Sequence, residues 1–386
     1  MARGEFHIAQ IERIAAGGAG IARLEGKSIF LEMTAGGDLV RFRIRKDHKN
    51  WAEGELLEVL KPSPQRAAPA CPHYGTCGGC SLQHISYEAQ LDAKSAILAD
   101  SFARIGGMHP PSIRILKGKP FGYRNRVQFH KADEARPGFK EKKSSRIVAI
   151  GDCPVADDGI RKALKEASLV PPPGKEKFTV FSHKDTFLCE GRAARGKVSI
   201  LGREVAMDAG VFFQSNAAML ELLIMDILEA ASGAGQNLPL ADVYCGVGTF
   251  ASFLGDENSE THGFSEIDLV EENPAALSLA RENIQARKKT NFMAMDVIEW
   301  VKTIGNKTWG FMVLDPPRNG LSIPLKNHHA HSGPELLAYV SCDPATLARD
   351  SRTLVDGGYK LAELSMYDFY PQTAHIESLA IFRRKG

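Results

Sequence analysis

The sequence predicts an α/β protein in three parts: a small N-terminal β-barrel, a β-rich central unit, and a C-terminal doubly wound parallel domain. Three observations carry this expectation. The first 62 residues break into short alternating apolar and polar runs separated by glycine turns, the signature of a small barrel. Cysteines crowd between residues 71 and 80, and a further one stands at 153. Beyond residue 240, apolar runs end in acids and alternate with helix-like segments, as in a parallel doubly wound sheet. The expected divisions are 1–62, 63–205 and 206–386.

Composition sets broad limits. The 386 residues are 44% hydrophobic and 24% charged, within the range of globular chains. No apolar run reaches the roughly 18 residues of a membrane span. The start, MARGEFHIAQIERI, carries charges throughout and lacks a signal-peptide core. A cytoplasmic location is the expectation, and its reducing milieu argues against disulfides among the seven cysteines. The net charge of +2 says little about partners. Its distribution says more: from Arg114 to Arg146 eleven Lys and Arg face three acids, with Phe121, Tyr123, Phe129 and Phe139 interleaved. Basic groups among aromatics suit phosphate contact and base stacking; a solvated basic surface is the plainer alternative.

Within the first part, Val40, Phe42 and Ile44 alternate with Arg41, Arg43 and Arg45. That is a half-buried strand with one basic face. Barrels of this OB-like kind commonly bind nucleic acid. A proline-bearing linker, KPSPQRAAPA, closes the unit.

Cys71, Cys77 and Cys80 then fall at C-x5-C-x2-C, with Gly75, Gly78 and Gly79 between them and Cys153 in a later GDCP turn. Four thiolates suit tetrahedral zinc or an iron–sulfur cluster. The three-plus-one layout favours 4Fe–4S over zinc. Residues 87–104 read as a helix with Leu91, Ala96 or Ser95, Leu98 and Phe102 inward. Residues 147–205 read as strand-rich.

A long helix is expected after Asn216, then the strand and turn of PLADVYCGVGTF, with Gly246 and Gly248 opening a second helix. Glycines after a first strand let a ligand approach the helix start. Glu271, ending another run, is placed to hold ribose hydroxyls, although it lies further along than the usual spacing of about 20 residues. The loop DENSETHGFSE before it reads as an insertion. Asp296 and Asp315 end two more runs, and Ser341–Cys342–Asp343–Pro344 stands at a strand-to-helix turn. Such turns expose side chains at the carboxyl ends of sheet strands, whereas a lone cysteine is commonly a small buried hydrophobe.

CPHYGTCGGC with GDCP, FFQSN, DVYCGVGTF, LDPPR, YVSCDPATLARD and the terminal HIESLAIF together resemble the RNA (uracil-5-)-methyltransferase family, in the cluster-bearing branch that acts on 23S ribosomal RNA. The start resembles the TRAM domain, an RNA-binding barrel. The resemblance implies a Rossmann-like domain using S-adenosylmethionine (SAM) as methyl donor. It implies Cys342 as nucleophile, Glu377 as general base, and Cys71, Cys77, Cys80 and Cys153 as ligands of a 4Fe–4S cluster. Gln214, Tyr244, Thr249, Glu271, Asp296 and Asp315 match positions at the bound donor. Thr249 stands where Asn is common, Asp343 replaces a frequent Asn, and the second Pro of DPPR replaces a frequent Ala. The implied partner is RNA, not DNA or membrane, with a single-stranded or loop uridine as target and a monomeric enzyme.

Uracil carbon 5 is too weak a nucleophile to take a methyl group unaided. Thiolate addition at carbon 6 makes an enolate whose carbon 5 attacks the donor, and a base then removes the carbon 5 proton. The rivals are the same chemistry on a tRNA uridine, an amino-group methyltransferase suggested by Asp315–Pro316–Pro317, and a non-catalytic iron–sulfur RNA-binding protein.

Overall fold

The computed structural model describes residues 5–235, 237–255, 263–284 and 289–385. Most of the expected insertion loop therefore lies outside the described residues. Strands β1 (Phe6–Ile14), β2 (Gly20–Leu24), β3 (Lys27–Leu31), β4 (Leu39–Asp47) and β5 (Trp51–Lys61) close into a barrel in the order β1-β2-β3-β5-β4. Its core holds Ile11, Ile29, Leu31, Val40, Phe42 and Ala52. The period-two reading of β4 is correct, but the basic face is not free. Arg41 donates to Glu58 at 2.6 Å and Arg43 to Glu55 at 2.7 Å across the β4–β5 pair.

Next come α1 (Tyr87–Arg104) and β6 (Ile113–Leu116), followed by β7 (Arg126–Lys131), β8 (Pro137–Lys140), β9 (Ile147–Ala149), α2 (Asp158–Lys165), β10 (Lys177–His183) and β11 (Thr186–Cys189). Five of these strands form a central sheet, β11-β10-β7-β8-β9, and β12 (Arg195–Ile200) pairs with β13 (Arg203–Asp208) as a ribbon. In α1, Leu91, Leu98 and Phe102 face inward as expected, but Ala96 is exposed and Ile97 and Lys94 are buried in its place.

The rest of the chain supplies α3 (Ala217–Ala231), β14 (Leu240–Val243), α4 (Thr249–Leu254), β15 (Glu266–Glu271), α5 (Pro274–Asn283), β16 (Lys289–Ala294), α6 (Val297–Thr303), β17 (Phe311–Leu314), α7 (Ile323–Ser332), β18 (Leu336–Ser341), α8 (Pro344–Asp356), β19 (Tyr359–Tyr367) and β20 (Glu377–Arg384). These strands make one sheet, β16-β15-β14-β17-β18-β20-β19-β6. Strands β14 to β18 run parallel, and β20 turns antiparallel against β18. Apolar layers cover both faces of this sheet.

The eighth strand corrects the expected division. β6, placed by sequence in the central unit, pairs in parallel with β19, Ile113 opposite Leu364 and Leu116 opposite Tyr367. A four-residue strand completed by pairing 251 residues away leaves no local pattern to read. Part of the basic stretch meets acids from elsewhere: Lys117 pairs with Glu88 at 2.7 Å, and Lys142 and Lys143 hold Glu32 of the barrel at 3.0 and 2.9 Å. Arg114 pairs with Asp226. No helix among the described residues is long and apolar enough to cross a membrane.

Candidate active site

A cavity of about 870 Å³ opens at the carboxyl ends of β14, β15, β17 and β18. Parallel sheets bind ligands there because their connecting loops diverge. Gln214, Tyr244, Gly246, Thr249, Glu271, Asp296, Asp315, Cys342 and Glu377 all line it. Residues from 214 to 377 are thus brought to one space, most of them just past strand ends and Glu377 from the start of β20.

The turn after β14 is shaped for close approach. Tyr244, Gly246 and Gly248 all adopt left-handed backbone, with φ of 64°, 55° and 73°. A Cβ on Gly246 would meet nothing within 4 Å, so the backbone there lies open. Gly248 has another task. It begins α4, and a Cβ on it would sit 2.9 Å from the Ala280 Cβ, so its bareness lets α4 pack on α5. Sequence reading had grouped it with the ligand contacts; the cavity lining leaves it out. The Glu271 carboxylate accepts from the Gly246 N–H at 3.0 Å and from the Asn273 N–H at 2.8 Å. Asp296 caps α6, accepting from the Ile298 N–H at 2.7 Å.

Deeper in, Asp315 and Glu377 keep part of their surface open to the cavity but are otherwise enclosed. Burial raises the Asp315 carboxyl to about 7, against the pull of Gln214 bonded to it. Burial first, then the neighbouring Asp315, raises Glu377 to about 8, while Arg318 and Lys94 oppose the shift. Cys342 is pushed to about 11 by burial and by the acids Glu377 and Asp315, with Arg318 countering them. Paired groups pushed away from their ordinary values are the mark of a site doing proton chemistry.

Several lining residues went unseen in the sequence: Arg124, Arg318, Tyr370 and His375. Arg318 Nη2 lies 3.2 Å from His375 Nδ1. A guanidinium can only donate, so Nδ1 accepts and the neutral His375 carries its proton on Nε2. His375 stays partly exposed; partial desolvation, with Arg318 adding to it, lowers it to about 4, consistent with that neutral form. Arg318 closes the LDPPR motif and His375 opens HIESLAIF, so the motifs held both residues without assigning either a role. Asp242 was also missed; fully buried, it holds the start of α4 by accepting from the Ala251 N–H at 3.0 Å.

The second cavity, of about 640 Å³, is lined by Cys71, Cys77, Cys80 and Cys153 together with Arg124 and Lys140. The β8–β9 side closes on the cysteine loop, with the Gly78 N–H donating to the Lys140 carbonyl at 3.0 Å and Lys142 N–H to the Thr76 carbonyl at 2.9 Å. Burial, with nearby thiols adding to it, raises Cys80 to about 11 and Cys153 to about 12. Among the described residues no three His, Cys, Asp or Glu side chains gather closely enough to share a single metal ion.

An open parallel sheet with a glycine turn, a carboxylate bonded to that turn, and perturbed acids beside a thiol defines a nucleoside-cofactor enzyme of the transferase kind. Comparison narrows the class. Residues 183–385 match the model of the tRNA (Uracil-5-)-methyltransferase family. An RNA methyltransferase of Treponema denticola is 34% identical, the match covering 98% of this chain and 99% of that one. A 23S rRNA (uracil(1939)-C(5))-methyltransferase of Aeromonas hydrophila is 31% identical over 95% and 93% of the two chains. The fold is that of the Pyrococcus abyssi tRNA (uracil-54, C5)-methyltransferase bound to S-adenosyl-L-homocysteine, with TM-score 0.72, 21% identity, and coverage of 97% and 100%. The chain belongs to the RNA uracil-5 methyltransferase family and is a SAM-dependent RNA methyltransferase.

Proposed function

We propose that this enzyme methylates carbon 5 of a uridine in 23S ribosomal RNA, using Cys342 as covalent nucleophile and Glu377 as general base. The observation that carries the reading is the single cavity shared by Cys342, Glu377, Asp315, Gln214 and the Glu271–Gly246 turn. Glu271 and the open Gly246 backbone would hold the ribose and amino-acid side of SAM, with Asp296 and Tyr244 towards its adenine and Thr249 beside the turn. The Cys342 thiolate adds to carbon 6 of the uracil, and the ring electrons move to carbon 5. Carbon 5 takes the SAM methyl group, whose bonding pair leaves on sulfur as S-adenosylhomocysteine. Glu377 removes the carbon 5 proton, and that electron pair expels Cys342 as thiolate. Arg318, which favours the charged form of both Cys342 and Glu377, would counter the negative charge building between them. Reaching such a depth requires the base to leave its stack, which favours a loop or single-stranded target.

The same reading gives Cys71, Cys77, Cys80 and Cys153 to a 4Fe–4S cluster, because all four line one cavity and thiolates are the ligands such a cluster takes. A cluster held by Cys71, Cys77, Cys80 and Cys153 would cross-link the cysteine loop to the segment at 153. The reading of 23S over tRNA rests on the Aeromonas hydrophila relative. Its test is methylation of in vitro transcribed 23S rRNA and of bulk tRNA with tritiated SAM. Incorporation at one 23S uridine and none into tRNA is the expected result; the reverse would reassign the substrate.

A further inference from the structure

Two polar side chains on α1 are buried where a helix normally places apolar ones. Gln90 is fully buried and Lys94 is 1% exposed. Four positions apart, they share one helix face. Lys94 Nζ donates to Asp368 Oδ1 at 2.6 Å and to the Tyr370 carbonyl at 3.0 Å. Gln90 and Gln372 bond reciprocally: Gln90 Nε2 donates to Gln372 Oε1 at 2.9 Å, and Gln372 N–H donates to Gln90 Oε1 at 2.9 Å. The cysteine loop joins in just before α1. The Ser81 and Leu82 N–H groups both donate to the Gln372 carbonyl at 3.0 Å, and Ser81 Oγ accepts from the Ala374 N–H at 3.0 Å.

All these bonds fall on one stretch, 368–374, which carries Tyr370 of the cavity wall and runs into Glu377. Gln372 sits at φ 68°, a left-handed conformation that a residue with a Cβ resists. Such a residue persists only where its surroundings over-determine it. A buried ion pair is a poor way to gain stability, because apolar replacements are often as good or better. What it can supply is one fixed position for the β19–β20 connection it grips.

We propose that Gln90 and Lys94 are positioning residues that set the segment bearing Tyr370 and Glu377 for the proton-abstraction step. This rests on the reading of Glu377 as general base. Glu377 is faced by Asp315 and Arg318 from the β17 loop, Cys342 from β18, Tyr370 from its own connection, and Lys94 from α1. Lys94 is thus the buried cation that α1 contributes to it, which favours the ionised, proton-accepting form.

The test uses the full chain with tritiated SAM and 23S rRNA transcribed in vitro, unmodified or 5-fluorouridine-substituted. Variants are Gln90→Met, Lys94→Met and the double variant Lys94→Met/Asp368→Leu, which removes the ion pair without stranding a charge. In all three, SAM affinity and the adduct with fluorinated RNA should persist. Turnover should fall about tenfold or more, the scale of an impaired general base. A protein–RNA adduct should then accumulate on unmodified RNA, where the wild type leaves none. In Lys94→Met the rising, acid-side limb of the rate profile should move to higher pH, because the base loses a cation that favours its ionised form. Recovery of turnover in the double variant would show that Lys94 serves the fold alone and overturn the inference. So would variants that trap on fluorinated RNA yet resolve the unmodified adduct at the wild-type rate. A wild type that traps nothing on either RNA would sink the covalent reading and this inference with it.

Discussion

The Glu271 carboxylate accepts a hydrogen bond at 3.0 Å from the backbone N–H of Gly246, joining the end of the second parallel strand to the turn after the first. The spacing between them exceeds what a compact nucleotide-binding unit usually shows, but the sheet register brings them together: Val243 lies opposite Val270 in the β14–β15 pair. The same carboxylate therefore shapes the turn and presents charge to the cavity.

Replacing Glu271 by Ala should remove both effects, whereas Gln keeps an acceptor for Gly246 and loses the charge. We expect the Ala variant to weaken SAM binding roughly tenfold to a hundredfold, in line with about 1.5–3 kcal/mol for a hydrogen bond to a charged group. Gln should fall between. Calorimetric titration with SAM measures this, and equal affinity in all three proteins would remove Glu271 from the binding site.

The two glycines of the turn should separate in a melting experiment. Gly248→Ala must place a Cβ 2.9 Å from Ala280 Cβ as well as strain a left-handed position, while Gly246→Ala meets only the strain. The Gly246 variant should lose about 1–2 kcal/mol, and the Gly248 variant clearly more. The order should invert for SAM affinity, since only Gly246 lines the cavity.

Acid stability carries a sign worth testing. Asp242 and Asp315 are raised to about 7 and Glu377 to about 8, all chiefly by burial. Carboxyls whose folded values are raised stabilise the fold when protonated, and that contribution disappears as pH climbs through 7 to 8. Acids held low work the other way: Asp38 by Arg66 and backbone donors, and Glu266, at about 2, by Lys289 and Lys307, each against its own burial. Their contribution is lost as pH falls below about 4. Melting temperature should therefore be higher at pH 6 than at pH 8.5 and drop again in strong acid. Glu377→Gln should raise the pH 8.5 value by about 2 °C or more, on the order of 1 kcal/mol, while ending turnover. A melting profile flat across pH 6–8.5 would contradict the burial of these acids.

For the cysteine cavity, protein purified without oxygen should contain about four iron and four acid-labile sulfide per chain, as a 4Fe–4S cluster requires. Cys153→Ser should lower both, since it removes the ligand that ties the 153 turn to the loop. One zinc and no sulfide would replace the cluster with a different centre.

Much of this was legible because it is local. The barrel's alternation, the α1 span, and the acids closing apolar strands follow from side-chain period and turn chemistry, and the donor-side residues came with their motifs. Lys94 and Gln90 were illegible because polar residues on an amphipathic helix read as solvent-facing until partners 274 and 282 residues away meet them. β6 was hidden for the same reason, and charge counted along the basic stretch omits Glu32, Glu88 and Asp226, which the fold brings in from elsewhere. Arg318 and His375 lack any period or spacing of their own; only the folded cavity brings them beside Cys342 and Glu377.

The central claim is covalent catalysis by Cys342. Purified protein and SAM would be mixed with 5-fluorouridine-substituted 23S rRNA and, separately, substituted tRNA, then denatured and resolved. Fluorine at carbon 5 cannot leave as a proton, so Glu377 cannot release the adduct. The account predicts a protein–RNA species that survives denaturation with 23S rRNA, requires SAM, and vanishes in Cys342→Ala. A protein that binds SAM and methylates RNA at full rate in Cys342→Ala, with no trapped species, would contradict it.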